Sequence, residues 1–225
     1  MNLWHAREKS MEWLSKELVA QESLLGQGFE LLDECISLLN QYDKEHDDEL
    51  HARFTGVVNL ALAKTRNLLL GSYSMMLNAL AKEAGALHRL ILEAYELLIY
   101  FRLDPARAGQ AIDGKLPKSG EITKVIEGEF QDLRSYLITH ATHLSLCYES
   151  FRYLLEDQAF ENKDAQSHNI KTLNNNLTTL NTVQVMVVAE AIRCLNAIDY
   201  TPNSLIDDFE DWRLKSIKAS PLTNK

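Results

Sequence analysis

The chain has 225 residues, enough for one good hydrophobic core or at most two small ones. Hydrophobic residues make up 46% and charged residues 24%, which excludes a disordered chain, while only nine Gly and four Pro argue against a turn-rich β fold. The formal net charge of −9 opposes general binding to nucleic acid or to anionic membranes.

The first nine residues, Met1 to Lys9, carry no apolar run behind a basic start and do not read as a signal peptide. A helix is predicted over about residues 3–23. Gly26 and Gly28 then suggest a break before a second helix over 29–42, where Phe29, Leu32, Ile36 and Leu39 fall at helical spacing. Residues 43–48 read as a polar connector or as the acidic first turn of the next helix. The pattern is helical again over 49–81 through Phe54, Val58, Leu62, Leu69 and Met76, with Gly71 as a candidate kink.

Residues 83–103 are apolar on nearly every side, apart from Lys82, Arg89, Glu93, Glu96 and Tyr100, which share one helical stripe. A helix of that kind belongs at the centre of a bundle. Those charges also make the segment 87–101 too short and too polar to span a bilayer, so no membrane partner is expected. Pro105, Gly109, Gly114, Pro117 and Gly120 mark a flexible linker at about 104–120.

Beyond the linker, long helices are predicted over 121–157 and 169–199. The first buries Phe130, Leu133, Leu137, Ala141, Leu144, Tyr148, Phe151 and Leu155, and the second Leu173, Leu177, Leu180, Val187 and Leu195. Thr201 and Pro202 supply a cap and a first helical position for a last helix, and 219–225 reads as a disordered tail. The whole is an all-α, up-and-down bundle of about five to seven helices forming a single domain over 1–218.

Several motifs are weighed for chemistry. Residues 109–115, from Gly109 to Lys115, outline a phosphate-binding loop, but Leu116 stands where Ser or Thr must hold magnesium. No Glu lies three residues before any His, so a di-iron bundle is not indicated. His46, Asp47, Glu49 and His51 read as a solvated helix start, and His140 with His143 lacks a carboxylate one turn from both. Cys35, Cys147 and Cys194 have no paired spacing, which suits a reducing compartment and a cytoplasmic location. No cofactor and no metal are expected.

Two constellations remain. Arg89 and Glu93 stand one turn apart, either as an ordinary intrahelical pair or as a buried pair facing a cleft. Arg134 and His140 stand six residues apart, roughly 120° around a helix, and flank its buried stripe with Tyr136 between them in sequence. The helix with Arg89 and Glu93, followed by an Arg-x5-His helix, resembles the HEPN superfamily, and especially a branch of uncharacterised bacterial all-helical proteins. The resemblance covers roughly residues 50–160.

That resemblance implies a helical bundle that pairs with a second copy, and for many members a metal-independent ribonuclease of toxin or anti-phage type. Carried over, Arg134 would stabilise the scissile phosphate and His140 would act as general acid or base, with Arg89, Glu93 and Tyr136 shaping the cleft. Active members commonly have Asn, Asp or His directly after the Arg, whereas this chain has Ser135. Three readings follow in order. The first is a non-catalytic interaction or assembly module, with a homodimer as the natural partner. The second is a HEPN-like ribonuclease or a degenerate relative, for which the partner is RNA and not DNA. The third is a small-ligand binder between bundle helices.

Overall fold

The computed structural model describes residues 4–46, 48–127, 155–156, 159–160 and 168–219. Among them are eight helices: α1 (His5–Lys16), α2 (Val19–Glu45), α3 (Glu49–Leu77), α4 (Ala81–Leu103), α5 (Ala108–Ile112), α6 (Ser119–Val125), α7 (Ile170–Asn196) and α8 (Asn203–Ala219). A 3-10 turn, Pro105–Arg107, joins α4 to α5. The only strands among these residues are two short ones, Leu155–Glu156 (β1) and Ala159–Phe160 (β2), which pair antiparallel. The protein is an all-α bundle.

Two of the sequence boundaries are corrected. The chain does not break at Gly26 and Gly28; the break falls at Glu17–Leu18, and α2 runs unbroken through both glycines. Gly28 is buried because α2 approaches its neighbours closely there. A Cβ at that position would lie 2.5 Å from Trp212 Cζ2 and 2.6 Å from Gln184 Oε1. The helix predicted over 121–157 begins earlier and stops at Val125, where Glu127 takes a left-handed φ of 61°. Leu155 and Glu156 are extended, and residues 128–154 lie outside the described set.

α3, α4, α7 and α8 form where the periodicity predicts them, while α5 forms inside the stretch read as a flexible linker. Asp48 caps α3 by accepting from Leu50 N at 2.9 Å, and Asn169 caps α7 by accepting from Thr172 N at 2.9 Å. α3 runs unbroken through Gly71. That glycine lets Leu87 of α4 pack close, with Cδ1 3.1 Å from where a Cβ would stand.

Asp33–Arg66 and Asn40–Asn59 contacts show α2 and α3 to be antiparallel, and α3 pairs most extensively with α4. α7 lies along α2 in the same direction, joined by Gln21 to Thr178 at one end and Glu45 to Tyr200 at the other. The continuous core draws on all of the long helices, with Leu32, Leu39, Phe54, Leu62, Leu69, Leu98, Leu173, Leu180 and Trp212 sealed from solvent. Burial of this kind contributes roughly 25 cal/mol per Å² of apolar surface and dominates the fold's stability.

Residues 104–120 pack against the bundle. Ala108 is fully buried, and Arg107 stacks its guanidinium 4.5 Å from the Tyr100 ring centroid. No helix among the described residues is long and apolar enough to cross a membrane.

Candidate functional site

The polar stripe of α4 is present as the spacing demands, and it descends from the surface into the interior. Arg89 Nε donates to Glu93 Oε1 at 3.0 Å, with both side chains half-buried, so the pair is the ordinary intrahelical one. One turn further, Glu96 is buried, and beyond it Tyr100 is buried with its hydroxyl donating to Gln110 Oε1 at 3.0 Å. His88, next to Arg89, is enclosed so that burial pushes its imidazole down to about 4. Arg134, Tyr136 and His140 lie outside the described residues.

The strongest electrostatic cluster is one that sequence reading missed. Glu190 of α7 is fully buried, and both its oxygens are engaged. Arg102 of α4 donates to Oε1, and Arg193 donates to Oε2 at 3.1 Å. The Glu190 carboxylate and the Tyr95 hydroxyl hold the Arg193 guanidinium above its ordinary value, against the desolvation that lowers it. A signal was available: Glu190 is the only acidic residue between Asn169 and Asp199, in an otherwise apolar and amide-rich segment. Both guanidiniums share the single Glu190 carboxylate, and the cluster ties α4 to α7.

Ser10 and His168 form the only serine–histidine contact seen among the described residues, 2.7 Å between Oγ and Nε2. Ser10 Oγ also lies 2.9 Å from the carbonyls of Ala6 and Leu77. Those carbonyls compete with Nε2 for the single hydroxyl hydrogen of Ser10, whereas an activated nucleophile directs that hydrogen to the imidazole. Both side chains are buried, and the contact staples α1 to the end of α3 and the start of α7. The two described thiols are equally inert, and Cys147 lies outside the described residues. Burial pushes Cys35 up to about 12 and Cys194 higher still, far from a reactive thiolate.

The solvated histidines pack on tyrosines. His46 stacks on Tyr42 at 4.1 Å between ring centroids, and His51 Nδ1 meets Asp48 Oδ2 at 2.6 Å. Asp47, predicted beside them, is outside the described residues. Among the described residues no three His, Cys, Asp or Glu side chains are placed to hold a metal ion. The phosphate-loop outline fails geometrically, since Gly109 to Ile112 are helical and Lys115 Nζ turns back to Asp113 at 3.1 Å.

Two surfaces stand out instead. A cleft of about 220 Å³ between α2 and α8 is lined by Gln27, Glu30, Leu31, Glu34, Asp208, Asp211 and Trp212. Four carboxylates make it unlike the mostly apolar pockets that hold small ligands. The other surface is the outer face of α3. Between Arg53 and Lys82 that segment carries only two charges, Lys64 and Arg66, and Arg66 is bound to Asp33. Gly56, Leu60, Ala63, Asn67 and Leu70 follow one another within a narrow stripe opposite the core. Leu60 is 73% exposed, and no described residue stands within 4 Å of where a Gly56 Cβ would be.

Comparison with protein-family models, with curated proteins and with solved structures finds no match for this chain. The HEPN resemblance rests on its sequence motif alone.

Proposed function

We propose that this protein is a non-catalytic helical assembly module that pairs with a second copy of itself through the outer face of α3. One observation carries the reading: α3 is apolar on both sides although only one side meets the core. Helices apolar all round belong inside a bundle, so α3 has the composition of a central helix lacking a neighbour. The stripe is also self-complementary. Gly56 and Leu70 stand equally far on either side of Ala63, so an antiparallel second copy sets each Leu70 over the open Gly56 of the other.

The test is the oligomeric state of the purified protein, by light scattering across a range of concentrations, beside Leu60→Glu. Leu60 touches little of its own chain, so the variant keeps its helicity and melting temperature. The expected result is a dimer for the wild type and a monomer for the variant. A wild type monomeric at every concentration overturns self-assembly. Chelator-resistant RNA cleavage that disappears in both Arg134→Ala and His140→Ala replaces this reading with the HEPN-type nuclease.

A further inference from the structure

We infer that α8 is a releasable arm, seated on α2 and α7 across an interface loaded against closure on both its inner and its outer edge. The inner edge is polar. Asn181 and Gln184 on α7 and Ser216 on α8 are buried, yet Asn181 Oδ1, Gln184 Oε1 and Ser216 Oγ make no hydrogen bond among the described residues. Register brings them together. Gly28 places Gln184 Oε1 beside Trp212, Ser216 follows Trp212 by one turn, and Asn181 precedes Gln184 by one turn on the antiparallel helix. Buried polar atoms in folded proteins are nearly always partnered, so three orphans along one seam weaken that seam relative to an apolar one.

The outer edge is the acidic cleft, where Glu30 and Glu34 of α2 face Asp208 and Asp211 of α8. Lys215 answers Asp211 from within α8 itself, as Arg213 answers Glu210. Neither ion pair reaches α2 or α7, so both survive detachment and help α8 persist as a helix. Facing like charges across the cleft favour separation, and salt screens them.

What holds the arm is correspondingly local. Leu205, Phe209 and Trp212 insert into the core, and Trp212 Nε1 donates to Leu24 O at 2.8 Å. That is the one hydrogen bond from an α8 side chain to another helix among the described residues. Behind it, Asp199 in the left-handed region and Pro202 make a short joint to α7. Opening uncovers the underside of α8 together with the groove of Leu24, Leu25 and Gly28 between α2 and α7.

The experiment is hydrogen exchange on the full chain, read by mass spectrometry as peptides from α8 and from α7. At low ionic strength, α8 amides are expected to exchange at least tenfold faster than those at the centre of α7. Added sodium chloride narrows the gap. Ser216→Ala and Asp208→Asn each slow exchange in α8 severalfold and leave α7 unchanged. Exchange of α8 at the rate of α7 in the wild type overturns the inference. So does faster exchange in both variants, because it means those groups hold the arm shut.

Discussion

Arg102 of α4 donates to the buried Glu190 of α7, joining helices whose contact residues are 88 positions apart in sequence. Removing the cation alone leaves Glu190 with Arg193, which is more than half exposed and a poorer partner. Arg102→Met is therefore expected to cost about 1.5–3 kcal/mol in urea unfolding, the cost of a lost charge-assisted hydrogen bond, because Arg193 still answers Glu190. The double variant Arg102→Met with Glu190→Met is expected to recover much of that loss. Equal loss in the single and double variants would show that packing, not charge, carries the contact.

The two glycines of α2 are expected to respond with opposite signs. At Gly28 an added methyl meets the sealed Trp212 ring and the Gln184 amide, so Gly28→Ala destabilises by about 1–3 kcal/mol. At Gly26 nothing stands within 4 Å, and Gly26→Ala in a helix interior stabilises by about 0.5–1 kcal/mol. Thermal melts of the two variants beside the wild type check both. A stabilised Gly28→Ala would mean that Trp212 is free to move aside.

The same glycines show what the sequence carried and what it did not. Phe54, Val58, Leu62 and Leu69, or Leu173, Leu177 and Leu180, repeat at three and four because one side of each helix meets the core, so fold class and most helix bounds were legible. The meaning of Gly28 depends on Trp212, 184 residues away, and no local pattern holds that. The α4 stripe was legible as a stripe, since 3.6-residue periodicity places Arg89, Glu93 and Glu96 together. That Glu96 is sealed while Arg89 reaches water depends on what packs over α4. The helical pattern through Phe54, Val58, Leu62, Leu69 and Met76 passes over Leu60, Ala63 and Leu70, so it does not reveal the outer face of α3, although the absence of any acid between Phe54 and Ala81 marks it.

Thiol labelling is expected to distinguish native from unfolded chain sharply. Cys35 and Cys194 are sealed, with pKa values raised chiefly by burial and then by the nearby Glu34 and Glu190 carboxylates respectively. Iodoacetamide at neutral pH should leave both unmodified in the folded protein and alkylate both in denaturant, read as mass shifts on their peptides. Modification of Cys194 under native conditions would show that the α4–α7 contact opens readily.

Stability is expected to fall on mild acidification, with His88 as the main histidine responsible. Burial lowers His88 from an ordinary 6.5 to about 4, and lowers His168 as well, with Lys9 adding to the effect and the Ala6 carbonyl opposing it. Between those pH values the unfolded chain binds the proton and the folded chain does not, so unfolding gains as pH drops. The stability is fully present above about 6.5 and is lost progressively toward about 4. For His88 the loss is on the order of 2 kcal/mol, since its ring keeps some contact with water. Urea midpoints at about pH 7.5 and about pH 5 should separate in the wild type. They should draw closer in His88→Leu, which removes the titrating ring and its unpartnered Nε2 together. An unchanged separation would place the acid sensitivity in the carboxylates instead.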